Sequence, residues 1–157
     1  MVGVGMSGQG FDVCGHFRRR PGGLDPRLAF VFEGVEDDVI GDFGVVGGGA
    51  AGLELDRHDA RLGSPPHAVI LASSENLTNL YYPGPEDVNS LMPHLGADDS
   101  GSVRGDMVFF ETPNHGAVFS MSSISWAGSL CHNGYDNNVS RVTDNVLRRF
   151  LDPAPFG

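Results

Sequence analysis

Lysine is absent from the chain, so every positive side chain is one of ten arginines or a protonated histidine. That removes Schiff-base chemistry and the phosphate-gripping lysine of P-loops from the functions open to it. Cysteine occurs only at Cys14 and Cys131, too few for a disulfide framework, and reduced thiols are expected. No apolar run approaches the roughly 20 residues that cross a bilayer, the longest clear strand-like run being Ala68 to Ala72. At the amino terminus no basic segment leads into an apolar one. A soluble, cytoplasmic protein without a membrane partner is expected. The formal charge of −10 leaves no basic face to release counterions from a phosphate backbone, and nucleic acid is not an expected partner.

Several reactive motifs are also missing. Neither H-E-x-x-H nor C-x-x-C occurs, and the six histidines, among them His58, His67, His115 and His132, show no zinc-ligand spacing. Gly5-Met6-Ser7-Gly8-Gln9 lacks the last glycine of a nucleophile elbow, leaving serine hydrolysis without support. Two formal G-x-G-x-x-G matches exist, Gly47 to Gly52 and Gly3-Gly5-Gly8. A dinucleotide fingerprint needs a strand before the glycines and a helix N-terminus after them. The strand before Gly47 is very short, Gly63-Ser64-Pro65-Pro66 cuts off any helix early, and hardly anything precedes Gly3. Conformational use of glycine in turns competes with pyrophosphate binding at both places.

With 157 residues the chain is long enough for one domain with a core of its own. Its 23 glycines follow no fixed period and alternate with apolar stretches, which implies tight turns rather than disorder. Leu28 to Phe32 and His67 to Ala72, bounded by Pro and Gly, are expected to be buried strands. Asp106 to Glu111 and Ala117 to Met121 flank Thr112-Pro113-Asn114-His115-Gly116 and predict a hairpin, because Pro presets φ and Asn and Gly tolerate positive φ. From Val139, Val142, Val146, Leu147, Phe150 and Leu151 recur at helical spacing. Asp136, Asn137 and Asn138 are available as caps, and Pro153 is available as a stop. Pro83 to Gly101 lacks periodicity and is expected to be a long surface loop.

Two places could carry chemistry. Glu54 lies between Leu53 and Leu55, a setting that could desolvate its carboxylate and suit it to proton transfer; the alternative is a solvated acid paired with Arg57. His132 and Asn133, in the loop before the last helix, could orient a substrate carbonyl or simply cap that helix. Trp126 nearby is more naturally a core residue than a binding platform.

Gly41 through Arg57, Phe110 through Phe119, Ser123 through Leu130 and His132 through Phe150 are long, non-generic stretches, and they resemble the carboxy-terminal region of the N,N-dimethylformamidase large subunit. The likeness covers nearly all of the chain but only the last part of a much larger polypeptide, so residues 1–157 are expected to be one partial, carboxy-terminal domain. The resemblance implies an α/β fold of the three-layer, glutamine-amidotransferase-like (flavodoxin-like) type, whose carboxy-terminal portion contains the hairpin and the final amphipathic helix. It implies hydrolysis of N,N-dimethylformamide or related formamides to formate and an amine, with a small subunit and other large subunits as partners. It further implies a mononuclear iron held by tyrosine and glutamate, near a histidine in a His-x-Glu context. No His-x-Glu occurs here, which places the iron ligands upstream of Met1 and none in this chain. Glu54, in its Gly-Leu-Glu-Leu-Asp-Arg context, resembles a carboxylate near that iron pocket, able to act as base or to orient water. The pattern departs at His115, at Cys131 and over Leu77 to Pro85, so substrate preference is expected to differ. A noncatalytic subunit-contact domain or inactive remnant is the competing expectation, with a dinucleotide-binding module behind it.

Overall fold

The computed structural model of the chain describes residues 14, 15, 17–22, 24–41, 49–52, 54–74, 77, 81 and 102–156. Its centre is a five-stranded sheet made of β2 (Phe17–Arg19), β3 (Val39–Ile40), β5 (Val69–Ser74), β6 (Gly105–Thr112) and β7 (Gly116–Ser120), in the order β3-β2-β5-β6-β7. A separate two-stranded pair joins β1 (Cys14–Gly15) to β4 (Ala51–Gly52). All of these pairings are antiparallel. A flavodoxin-like layer has parallel strands at its centre, and no parallel pair occurs among the described residues.

Strands β6 and β7 form the expected hairpin, with Phe110 opposite Val118 and Thr112 opposite Gly116. Its turn follows the sequence in part: Pro113 opens it and Asn114 takes a positive φ of 68°, but the second positive φ, 63°, falls on His115, while Gly116 is extended at φ −83°. The apolar run beginning at His67 becomes β5, shifted by two residues to Val69–Ser74. Its register against β6 slips between Ile70 and Ala72, which bends the strand locally.

Leu28 to Phe32 is not a strand. Pro26–Phe32 form a 3-10 helix, started by Asp25, whose carboxylate accepts the Arg27 N–H at 2.9 Å. Proline at the first position fixes φ and has no N–H to lose. The two buried side chains, Leu28 and Val31, lie three residues apart, the repeat of a 3-10 turn. An apolar run of this length fits either element until its cap is considered.

The final helix, α2 (Asn138–Leu151), follows the expected span, with Asn137 as N-cap and Arg148 and Arg149 in its last turn. It stops before Pro153, at Asp152. Val139, Val142 and Val146 enter a core with Phe17, Ile40, Leu71, Met107, Phe109 and Trp126. Trp126 belongs to the short helix α1 (Ser125–Ser129) and is a core residue, as its type favours. It stands edge-on to Phe17 at 5.8 Å, and its indole N–H donates to the Thr143 hydroxyl at 3.0 Å. The side chain of Asn145 ties α2 to the 3-10 helix through the carbonyls of Val31 and Glu33.

Ala51 and Gly52, the end of the Gly47 to Gly52 match, are extended and paired in β4. No helix starts among the described residues there, which lack the helix N-terminus that pyrophosphate binding requires. Residues 42–48, the Gly3-Gly5-Gly8 match and the stretch 83–101 lie outside the described residues. No helix among the described residues is long and apolar enough to cross a membrane.

Candidate functional site

Residues 54–64 are fastened to the sheet by the Asp106 carboxylate and braced within themselves by that of Asp59. Ser73 and Asp106 stand directly opposite one another on β5 and β6, so their side chains share a face. Asp106 is buried, and its Oδ1 accepts from the Ser73 hydroxyl at 2.7 Å. Arg104 Nε reaches both carboxylate oxygens, at 3.1 and 3.0 Å, and the His58 N–H donates to Oδ2 at 2.9 Å. Arg20 completes the group, 3.8 Å from Oδ1, while its Nε donates to Ser73 Oγ at 3.1 Å.

Asp59 repeats the pattern nearby. It accepts from Arg57 at 2.9 Å, from the Arg61 side chain at 2.6 and 3.0 Å, and from the Arg61 N–H at 2.9 Å. The Arg61 guanidinium, followed by that of Arg57, holds the Asp59 carboxyl well below its usual value of 3.8. A carboxylate held as Asp59 is by its arginines is a poor proton acceptor; both acids clamp the chain.

Glu54 differs from both. It is exposed, so the desolvation that its leucine neighbours led one to expect is not supplied by the described residues. The Arg57 guanidinium, its expected counter-ion, lies against Asp59 at 2.9 Å and donates to the Ser102 carbonyl at 3.2 Å. The backbone around Glu54 is held firmly. Glu54 N–H donates to the Gly52 carbonyl at 2.8 Å, Leu55 bridges to Ser123, and Asp56 N–H donates to the Ser122 carbonyl at 2.9 Å. Asp106 N–H then donates to the Asp56 carbonyl at 2.9 Å, linking the turn that carries Glu54 to the start of β6. Among the described residues the buried hydroxyls of Ser74 and Ser122 have no hydrogen-bond partner.

His132 and Asn133 are exposed, in a short turn where Asn133, Gly134 and Tyr135 take positive φ. Asn133 Nδ2 donates to the Asp136 carbonyl at 3.0 Å, closing that turn. Capping of the helix falls to Asn137. Its Oδ1 accepts the Ser140 N–H at 2.9 Å, and its Nδ2 donates to the carbonyls of Leu130 and His132 at 3.0 and 2.6 Å. An open groove of about 630 Å³ beside this loop is lined by Val35, Asp37, Tyr135, Asn138, Arg141 and Asp144, among others. Glu54, His132 and Asn133 are not among its lining residues, so the groove does not bring the sequence-derived site residues together.

Among the described residues no three His, Cys, Asp or Glu side chains converge as a metal site. Asp106 and Asp59, the best placed acids, already face arginines. The described residues therefore do not fit a mononuclear iron. Cys131 is an exposed free thiol.

Sequence reading passed over Asp106 and Ser123. A signal for the first was present: an acid heading the apolar run Met107 to Phe110, in a chain whose few cations include the run Arg18 to Arg20. Ser123 gave none, because its partner Gly52 is 71 residues away.

A family model described as N,N-dimethylformamidase beta subunit-like, C-terminal, matches residues 1–137. The N,N-dimethylformamidase beta subunit of Paracoccus aminophilus is 48% identical over 157 residues, which is 98% of this chain and 21% of that protein. The beta subunit of the same name from an Alcaligenes species is 47% identical over 156 residues, 98% of this chain and 20% of that protein. The chain thus spans about a fifth of the length of the relatives it matches. On the match to most of its length and the identity across nearly all of it, the chain belongs to the N,N-dimethylformamidase beta subunit-like, C-terminal family.

Proposed function

We propose that this chain is the carboxy-terminal part of an amide hydrolase that converts N,N-dimethylformamide or related formamides to formate and an amine. The observation that carries this reading is the 48% identity to a protein of that name along virtually the whole chain. In the overall reaction water adds at the formyl carbon, the C–N bond breaks and the nitrogen leaves protonated. In this reading Glu54, in its Gly-Leu-Glu-Leu-Asp-Arg context, is the carboxylate that serves it. It is exposed, while Asp59 and Asp106 are occupied by arginines. It can take the proton of the attacking water or hold that water in line. In this reading the loop of His132 and Asn133 orients the substrate carbonyl, with the Asn133 amide also donating to the Asp136 carbonyl at 3.0 Å.

The rest of the site belongs, in this reading, to the larger part of the subunit that the chain does not span. That part would supply the iron, the tyrosine and glutamate that hold it and a histidine nearby, together with the rest of the glutamine-amidotransferase-like layers of which this chain is the carboxy-terminal portion. A small subunit and further large subunits complete the enzyme, in a cytoplasmic setting.

The test is Glu54→Gln in the assembled enzyme. Turnover of N,N-dimethylformamide should fall by at least about a hundredfold, in the range of general acid-base contributions; near-normal turnover would remove Glu54 from the chemistry. A second reading, a subunit-contact domain without catalytic residues, draws on the exposed apolar end of α2, where Leu147, Phe150 and Leu151 are 57%, 40% and 83% accessible. An enzyme assembled without this segment that kept full activity would favour it.

A further inference from the structure

The backbone on both sides of Glu54 converges on one place, the Ser122-Ser123 step just after β7. Ser123 Oγ accepts the Gly52 N–H at 2.9 Å and donates to the Gly52 carbonyl, also at 2.9 Å. That same carbonyl accepts the Glu54 N–H at 2.8 Å. On the far side, Leu55 bridges to Ser123 and Asp56 N–H donates to the Ser122 carbonyl at 2.9 Å. Ser122 itself sits at φ 55°, a region that side chains other than glycine rarely adopt. Strained backbone of this kind persists only where its surroundings over-determine it, and it gathers at functional sites. A hydroxyl that accepts from and donates to the same residue substitutes for a rung of a β-ladder, and a methyl group cannot do the same.

We propose that Ser123 is a positioning residue for Glu54, its hydroxyl pinning the exposed turn on which that carboxylate is presented. This rests on the reading of Glu54 given above. Ser123 touches no reacting atom; it fixes where the carboxylate stands relative to groups brought by the rest of the subunit. Displacing such a group by about 1 Å can cost about a hundredfold in rate.

The experiment compares four variants of the assembled enzyme, Glu54→Gln, Ser123→Ala, Ser123→Thr and the double variant Glu54→Gln with Ser123→Ala, in steady-state hydrolysis of N,N-dimethylformamide. Ser123→Ala should lower kcat by about ten- to a hundredfold with KM little changed. Ser123→Thr, which keeps the hydroxyl, should recover most of the loss. Ser123→Ala should add nothing to Glu54→Gln, because residues that act as a unit are not additive. Hydrogen exchange at the Gly52 and Glu54 amides should quicken in Ser123→Ala alone among the single variants. If Glu54→Gln turns over normally, the underlying reading of Glu54 fails and takes the proposal with it. If Glu54→Gln is impaired while Ser123→Ala keeps its kcat, the positioning role alone is overturned. A Ser123→Ala loss that adds to that of Glu54→Gln, or that threonine does not recover, also overturns it, since a general structural role would behave so. Should Ser123→Ala fail to assemble, Ser123→Cys, of similar size but a weaker donor, is read in the same way.

Discussion

Asp106 exposes none of its side chain, yet it meets Arg104, Arg20, the Ser73 hydroxyl and the His58 N–H. Removing one partner from a buried ionic group leaves the others desolvated and unmatched, at a cost of about 3–5 kcal/mol. Asp106→Ala should lose stability by that amount in urea unfolding, with the denaturant slope unchanged. Asp59 governs the acid limb. Its folded pKa is depressed by Arg61 and Arg57, so its contribution is complete above the ordinary value of 3.8 and is lost as pH falls through that value toward the depressed one. The thermal midpoint of the wild-type chain should therefore drop more steeply than that of Asp59→Asn below about pH 5; parallel curves would contradict the assignment. Glu54, His132 and Asn133 could be singled out by residue type and neighbours alone. What could not be read was their state. Exposure of Glu54 and engagement of Arg57 with Asp59 depend on how 54–64 crosses the sheet, and no local pattern carries that information.

Elements with strong local chemistry were legible, and those decided by a single cap were not. The hairpin and α2 each combine an apolar pattern with a matching punctuation: Pro113 with Asn114 in one, Asn137 with Pro153 in the other. The apolar run Leu28 to Phe32 looked like a strand because short apolar runs carry no clear period; Asp25 and Pro26 at its head made it a 3-10 helix. Likewise, Ala51-Gly52 reads as part of a phosphate loop until its pairing with Cys14-Gly15 is seen, a contact across more than thirty residues. Asn137 is the element-scale test. Losing a side-chain N-cap costs about 0.5–2 kcal/mol. Asn137→Ala also severs two hydrogen bonds to Leu130 and His132, so the upper end of that range is expected. Asn137→Asp, which keeps the acceptor for Ser140, should recover part of it. Equal losses from both in urea unfolding would show that the cap itself contributes little.

At the scale of the molecule, the chain packs an antiparallel sheet against α2, α1 and a 3-10 helix, and Glu54 is exposed on a turn bonded to Ser122 and to the start of β6. The relatives are about five times longer than the chain, and the proposed role of Glu54 draws on the part of the subunit that the chain does not span. The central claim, that this segment works as the carboxy-terminal part of a formamide hydrolase, is tested most directly by a chimera. The chain would replace the matching fifth of the Paracoccus aminophilus beta subunit, be assembled with that enzyme's remaining parts, and be assayed for formate and dimethylamine released from N,N-dimethylformamide. The account predicts equal amounts of both products from the chimera and none from the 157-residue chain alone. A chimera that assembles fully and releases neither product would contradict it.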